Sequence, residues 1–304
     1  MKEKKVRERR HRTIGNQNLP GYLFIAPFII GFSCFTIIPM LMSLYYSFTQ
    51  YDIYNPPQWI GVQNYITMFT SDPLFKKVFG VTFRYVIFAV PLRLAMALMI
   101  AMLLLRNTKL SGFYRAAYYL PSVIGASVAV ALLWRRMWSK DGVVNLLMQA
   151  VGINSTVPWL GQESTAIWTL IILAVWQFGS SMLIFLSGLK QIPVALYESA
   201  TIDGANGPQR FFKITLPMLT PTIFFNLINQ LISGFMAFTQ SYIITQGKPR
   251  NSTLFYAYYM YQNSFQFSKM GYGCALAWIM VLFVGLLTFV LFRTQKLWVY
   301  YETE

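Results

Sequence analysis

The sequence predicts an all-α membrane protein with six transmembrane helices, on three observations. The chain of 304 residues is 56% hydrophobic and only 12% charged, with a mean hydropathy of +0.46, whereas soluble globular domains are about a quarter charged. Six apolar stretches divide the chain, and its lysines and arginines collect in alternate loops. A soluble fold of this size could not bury so much apolar surface, so a membrane protein is the class to expect.

Each of the six apolar stretches is long enough to cross a bilayer as a helix, which takes about 20 residues for roughly 30 Å of hydrocarbon. The first is too long for a cleavable signal and has no small-residue cleavage site after it. Together they predict a six-span domain over 21–296, between a basic tail at 1–20 and a second tail at 297–304. The predicted spans are 22–48, 78–105, 116–138, 166–189, 217–245 and 271–292.

The distribution of Lys and Arg predicts the orientation of the spans. With the N-terminus in the cytosol, fifteen of these residues lie in the tails and loops on the cytosolic side and six lie in the outer loops. Such an excess is typical of the cytosolic side, and six spans return the C-terminus to it. Both termini are therefore predicted to be cytosolic. Arg135 and Arg136, at the outer end of the third predicted span, are the exception.

The net charge of +15 does not indicate a nucleic-acid partner. Seven basic residues fall within 1–12, where they are typical of a tail that faces anionic membrane lipid. His11, the single histidine, lies in that tail, and Cys34 and Cys274 lie inside apolar runs, so neither a metal site nor a disulfide is expected. The chain also lacks a GxxxxGK[ST] phosphate loop and any catalytic cluster. We expect no enzyme activity and no cofactor bound by this chain.

The loop at 190–216, predicted to be cytosolic, carries the signals of a helix–turn–helix. Gly204 can take the left-handed conformation that ends a helix. Asn206 can cap the next helix, and Pro208 suits its first turn. Apolar side chains follow, which have no lipid to enter and would form a protein-docking surface; the alternative is an ordinary interfacial linker. These side chains are Phe211, Phe212 and Ile214.

The same loop carries an ordered motif that continues into the fifth span. Its members are Glu198, Ala200, Asp203, Gly204, Ala205, Ile214, Leu216 and Pro217. This pattern resembles the EAA loop of binding-protein-dependent ABC importers, in which the membrane subunit docks in a cleft of the ATPase. The resemblance implies that these residues, with Phe211 and Phe212, transmit closure of the ATPase to the spans. Ser199 departs from the pattern, because the family usually has alanine there.

Shorter matches along essentially the whole chain resemble the sugar-importer permeases related to the maltose and glycerol-phosphate systems. They lie at 22–27, 47–49, 61–65, 141–145, 247–249 and 298–302, with Lys248 in place of a glycine. The resemblance implies the type I ABC importer permease fold in a prokaryotic cell membrane. It also implies a second homologous permease, an ATPase dimer that binds ATP and Mg²⁺, an extracytoplasmic binding protein and a carbohydrate substrate.

Polar residues of the fifth span predict either a solute path or a helix contact. They recur at steps of three or four residues, or multiples of these, and therefore share one stripe of the helix. The stripe should face protein or water, because polar groups that face lipid are costly. A lining for a polyhydroxylated solute and a contact with the partner permease both remain open. The residues are Asn226, Asn229, Gln230, Ser233 and Gln240.

Two further residues are candidates for the solute path. A mid-bilayer arginine costs roughly 2.5–3.5 kcal/mol on insertion scales, so Arg93 in the second span should face a cavity or a partner. It could contact solute or stabilise one state of the cavity; alternatively, it could pair with a backbone carbonyl or the partner subunit. Trp176 lies deep in the fourth span and could offer a flat face to a sugar ring.

Three other functions are alternatives to a sugar importer. An ABC importer for a non-sugar solute would share the loop motif. A secondary transporter working alone would favour Asp or Glu within its spans for ion coupling, and none of the six predicted spans contains either. A membrane-embedded enzyme would need a constellation of catalytic groups, and none is visible.

Overall fold

The computed structural model describes residues 18–105, 109–153 and 156–300. Most of the basic tail predicted at 1–20, and residues 301–304 of the second tail, therefore lie outside the described residues. The chain begins with α1 (Asn18–Phe32), a π-helical turn (Ser33–Ile37) and α2 (Ile38–Ser47), which together form one long apolar helix. This helix packs mainly against the last helix of the chain through α2, and its side chains are otherwise largely exposed.

A short hairpin and two helices follow the first long helix. Strands β1 (Thr49–Gln50) and β2 (Gln58–Trp59) pair antiparallel, with Thr49 opposite Trp59. Helix α3 (Gln63–Thr70) leads to α4 (Pro73–Leu103), which Asp72 caps by accepting from the amides of Leu74 and Phe75. We call the side of the molecule that carries β1 and β2 the hairpin end.

The third and fourth predicted spans are both bent. The third consists of α5 (Ser111–Ile124) and α6 (Val128–Met137), which meet at 95°. The short α7 (Val143–Ala150) follows. The fourth consists of α8 (Glu163–Trp176) and α9 (Gly179–Gln191), which meet at 44°. The third span is thus not the continuous helix expected over 116–138, because Ser127 accepts a hydrogen bond from the amide of Val130 and starts a new helix.

Several short elements join the fourth span to the fifth. They are α10 (Val194–Ile202), α11 (Gly207–Arg210), a π-helical turn (Phe211–Thr215) and α12 (Leu216–Met218). The fifth span is α13 (Thr220–Phe235), followed after a break by a π-helical segment (Gln240–Thr245). We call the side of the molecule that carries α10 and α11 the loop end.

The last part of the chain returns from the hairpin end to the loop end. Helix α14 (Tyr256–Tyr261) and a π-helical turn (Gln262–Gln266) precede the long α15 (Met270–Trp298). Three tyrosines of α14, Tyr256, Tyr258 and Tyr259, are buried. The Tyr256 hydroxyl donates to the Leu276 carbonyl at 2.8 Å.

Helix α4 occupies the centre of the bundle, where it packs against α8, α9 and α13. Small and β-branched side chains such as Ala89, Val90 and Ala97 allow this close packing and are almost completely buried. Among the described residues, four helices are long and apolar enough to cross a membrane, and up to six if each bent pair counts as one span. The predicted membrane class and helical fold are therefore confirmed at this coarser level.

Candidate functional sites: a docking loop and a central cavity

The first half of the loop ends in a tight, fully hydrogen-bonded turn. Gly204 adopts φ +74°, the left-handed conformation predicted for it. The amide of Ala205 donates to the Ala200 carbonyl at 2.8 Å, and the amide of Gly204 donates to the Thr201 carbonyl at 3.1 Å. This pair of bonds is the Schellman motif, which satisfies the last carbonyls of a helix. The motif residues Ala200, Gly204 and Ala205 thus form the turn that ends α10.

The second half of the loop starts with a capping box. The side chain of Asn206 accepts from the Gln209 amide at 2.9 Å, and the Gln209 side chain accepts from the Asn206 amide at 2.8 Å. Pro208 lies in the first turn of α11, so both predicted starting signals are confirmed. Hydrogen bonds from Arg210 to Thr201 and between Tyr197 and Thr215 hold the two halves together. The loop is therefore a defined helix–turn–helix.

The loop leaves a row of apolar side chains exposed. Phe212 is 65% exposed, while Phe211 is half-buried and Ile214 packs against the core. Val194 and Ile202, at the two ends of α10, were not predicted to belong to this surface and are 68% and 87% exposed. Their signal in the sequence is an apolar residue at each end of a helix in the loop predicted to be cytosolic. Glu198 and Asp203 are exposed beside them, and Leu216 and Pro217 begin α12. Exposed apolar side chains beside acidic ones give this loop a surface suited to docking another protein.

The end of the chain packs against the start of the fifth span. The Tyr300 amide donates to the Thr220 hydroxyl at 2.8 Å, and that hydroxyl donates to the Pro217 carbonyl at 2.6 Å. The Phe224 ring makes edge contacts with the rings of Phe292 and Trp298. The C-terminal segment therefore braces the junction between the loop and α13.

A cavity of about 250 Å³ lies between α4, α8 and α13. Of the predicted path residues, Arg93, Gln230, Ser233 and Gln240 line it. Two polar residues that the sequence analysis did not select also line it, Tyr85 from α4 and Gln177 from the break after α8.

The structure separates the other predicted path residues from this cavity. Asn226 is buried and donates to the Thr222 carbonyl at 3.1 Å within its own helix. Asn229 is exposed and donates to the carbonyl of Phe225 at 2.8 Å. The Trp176 ring packs on that of Trp134, with the ring centres 5.9 Å apart. None of the three lines the cavity. The predicted stripe is therefore only partly on the cavity wall, since Asn226 is buried away from it and Asn229 is exposed.

Arg93 holds the break in the fourth span in place. Its Nη2 donates to the Gln177 carbonyl at 2.5 Å, and the Ser122 hydroxyl donates to the same carbonyl at 2.9 Å. The Gln177 side chain in turn donates to the Gly125 carbonyl at 3.1 Å. A carbonyl released by a broken helix needs such donors at membrane depth. Arg93 thus both lines the cavity and makes the pairing with a backbone carbonyl that the sequence left open.

A second, larger pocket of about 850 Å³ lies at the hairpin end. Asp72 lies in its wall, where its carboxylate accepts from the Tyr259 hydroxyl at 2.6 Å and from the Tyr272 hydroxyl at 2.5 Å. Burial, followed by the nearby Asp72 carboxylate, raises the pKa of Tyr259 above its ordinary value of 10.0, which is consistent with its hydroxyl donating to that carboxylate. Asp72 therefore joins the starts of α4 and α15 to α14.

Comparisons with known proteins show which family this chain belongs to. Residues 94–299 match the family described as "Binding-protein-dependent transport system inner membrane component". The chain is 53% identical to a probable ABC transporter permease of Bacillus subtilis, YesP, over 97% of this chain and 96% of that protein. It is 35% identical to the lactose transport system permease LacF of Rhizobium radiobacter, over 91% of this chain and 94% of that protein.

The fold also matches a solved transporter. A chain of the crystal structure of a bacterial alginate ABC transporter, in complex with a periplasmic protein that holds an alginate pentasaccharide, superposes with a TM-score of 0.79. The match covers 92% of this chain and 94% of that chain at 23% identity, and therefore concerns the fold alone. With the family match and the two relatives, the loop and the central cavity identify the chain as a member of the binding-protein-dependent transport system inner membrane components, the membrane-spanning permeases of ABC importers.

Proposed function

We propose that this permease imports a sugar or oligosaccharide that an extracytoplasmic binding protein delivers. The relatives support a carbohydrate, since they include permeases named for lactose, arabinooligosaccharides and starch degradation products. The cavity supports it as well, because amide and hydroxyl groups suit a ligand with many donors and acceptors. The chain would work as a heterodimer with a second, homologous permease.

The proposed topology has six spans, with each bent pair crossing the bilayer once. Both termini and the loop end then lie in the cytosol of a prokaryotic cell, and the hairpin end faces outward. The excess of Lys and Arg in the tails and loops at the loop end supports this orientation. The basic tail at 1–20 would lie against anionic lipid.

The coupling mechanism rests on the geometry of the docking loop at 190–216. Its exposed apolar side chains lie on a helix–turn–helix that continues through α12 into α13, which lines the cavity. An ATPase dimer bound to this surface would bind ATP and Mg²⁺, and its closure would pull on the loop at 198–217. The permease pair would then switch the cavity between inward- and outward-facing states as a rigid-body change. Glu198, Asp203 and Phe212 are the contacts we expect at the ATPase.

A mild-detergent pull-down of the tagged protein tests the assembly. Mass spectrometry should recover a second permease and an ATPase with this chain. Recovery of this chain alone as a stable homo-oligomer would contradict the importer and favour a transporter that works alone.

Two matched glycine variants test the coupling role. Gly204→Ala and Gly207→Ala each add one methyl group that meets no atom within 4 Å, but only Gly204 has a left-handed backbone. Alanine there costs roughly 1–2 kcal/mol, which should distort the Schellman turn. In reconstituted vesicles, Gly204→Ala should lower sugar uptake per ATP hydrolysed severalfold, and Gly207→Ala should leave this ratio unchanged. Equal ratios for the two variants would remove the coupling role from this turn.

A further inference from the structure

We infer that the transported carbohydrate carries an anionic group, most simply a uronate carboxylate, and that Arg93 is its counter-charge in the central cavity. This inference rests on the proposed function, because it assumes that the cavity is on the solute path. It goes further in assigning the charge of the solute and the residue that selects it.

The first argument is the charge of the cavity wall. Arg93 is the one charged side chain among the described residues that line the cavity, and the remaining polar groups are neutral. They comprise Tyr85, Gln177, Gln230, Ser233 and Gln240. A guanidinium at membrane depth without an opposing carboxylate leaves a net positive charge in a medium of low dielectric constant, where charges interact strongly.

Among the described residues, Arg93 has no charged hydrogen-bond partner. Its acceptor is the neutral carbonyl of Gln177, and no carboxylate lines the cavity beside it. The described ion pair of this chain lies elsewhere, between Arg250 and Glu163. A guanidinium has five N–H donors in a planar fork that matches a carboxylate. An anionic sugar would therefore supply the charge partner that the described residues do not.

A second guanidinium lies near the segment that carries the cavity residue Gln240. Nη1 of Arg135 lies 3.5 Å from the carbonyl of Ile243, in the same π-helical segment as the cavity residue Gln240. Arg135 and its neighbour Arg136 are both exposed. Positive charges near a cavity attract anionic solutes toward it. This role would explain why Arg135 and Arg136 depart from the predicted distribution of basic residues.

The volume of the cavity limits how large a part of the solute can contact Arg93 and its neighbours. About 250 Å³ lies just below the roughly 300–1,000 Å³ typical of ligand pockets. A single sugar unit with its carboxylate fits this scale better than a whole oligosaccharide. Arg93 would then bind one charged sugar unit of a longer oligosaccharide.

The test measures binding to the purified transporter complex in nanodiscs, without the binding protein, so that the permease alone selects. The probes are uronate trisaccharides of several linkages, each paired with the neutral trisaccharide made from it by carboxyl reduction. For at least one pair, the wild-type complex should bind the acidic member at least tenfold more tightly, a difference of about 1.4 kcal/mol. The preference should weaken as the salt concentration rises.

Three variants assign the preference to Arg93. Arg93→Gln should lower the ratio of the affinities for the acidic and the neutral trisaccharide to about one. Arg93→Lys should keep part of the preference for the acidic trisaccharide, because the charge remains. Arg84→Gln is the matched control: it removes a positive charge from an exposed position of the same helix outside the cavity, and should leave the ratio unchanged.

Each outcome bears on one of the two proposals. If the wild-type complex binds the neutral member of every pair as tightly as the acidic one, the charge inference is wrong and the sugar path stands. If the preference survives Arg93→Gln, Arg93 is not the counter-charge. If no member of any pair binds, the sugar path through this cavity fails, and the charge inference fails with it. The comparison of acidic and neutral trisaccharides uses only the wild-type complex, so it does not depend on whether the Arg93 variants fold.

Discussion

The sharpest stability prediction concerns Gly271, where the last long helix meets the hairpin. A β-carbon placed on Gly271 would lie 2.1 Å from the Thr49 carbonyl oxygen and 3.1 Å from that of Tyr46. Both neighbours are backbone atoms and cannot rotate away. The Gly271 amide also donates to the Tyr51 carbonyl at 3.0 Å, so the same contact holds β1 against α15.

Gly271→Ala must therefore separate the helix from the hairpin. Ordinary contact with a β-carbon begins at 3.4 Å, well beyond the 2.1 Å available. Overpacking costs about 1–3 kcal/mol, and weakening the hydrogen bond to Tyr51 adds about 1 kcal/mol. We expect the free energy of unfolding to fall by about 3 kcal/mol, because no side chain can move to absorb the methyl group.

Gly285→Ala is the matched control on the same helix. Its β-carbon meets no atom within 4 Å, and alanine is about 0.5–1 kcal/mol better than glycine inside a helix. This variant should therefore be as stable as wild type or slightly more stable. The measurement is unfolding of the purified protein in mixed micelles by titration with dodecyl sulfate. If the free energies of unfolding of Gly271→Ala and Gly285→Ala differ by less than 0.5 kcal/mol, α15 and the hairpin do not approach as closely as described.

Three further predictions test other contacts. Asp72→Asn keeps a helix-capping oxygen but removes the charged acceptor of two tyrosine hydroxyls, so the free energy of unfolding should fall by about 2 kcal/mol; in a Tyr259→Phe background the loss should be smaller, and equal losses would contradict the contact. Thr220→Val removes the acceptor of the Tyr300 amide, so hydrogen exchange at that amide should accelerate about five- to tenfold for a lost bond of roughly 1 kcal/mol. An unchanged exchange rate would show that Thr220 does not brace the C-terminal segment. Hydrogen bonds from the Asn55 side chain and then its amide lower the pKa of Asp52 below its ordinary 3.8, so they stabilise this turn above pH 3.8 and are lost as the pH falls through the lowered value. The protection of these amides, measured relative to their intrinsic exchange rate at each pH, should fall only as the pH drops through the lowered pKa of Asp52. A loss of protection near neutral pH would contradict the account.

Local chemistry explains why the docking loop could be predicted so well from the sequence. A left-handed turn requires Gly204 or a similar residue, and a helix start favours Asn206 with Pro208 behind it. Each signal acts over a few residues, so no distant contact was needed to place the turn or the second helix. The ATPase-contact roles of these residues remain predictions.

The central cavity could be predicted only in part. A period of 3.6 residues puts Asn226 and Gln230 near one face, but it does not reveal how that helix is rotated against α4. Packing turns Gln230 and Ser233 toward the cavity and leaves Asn226 in a helix contact. Gln177 lines the cavity because the fourth span breaks beside it. Gly179 and Ser180 lie at that break, but a Gly–Ser pair permits a bend without requiring one.

The amino-acid sequence by itself determined the membrane class, the apolar helices and the turns of the docking loop, because hydropathy and helix capping act within one segment of chain. Tertiary structure alone decided which side chains share a cavity and where the two spans bend. It also joined Asp72 to Tyr259 and Tyr272, which lie 187 and 200 residues away. Such contacts depend on the rotation and depth of packed helices, which arise from the summed packing of every neighbour.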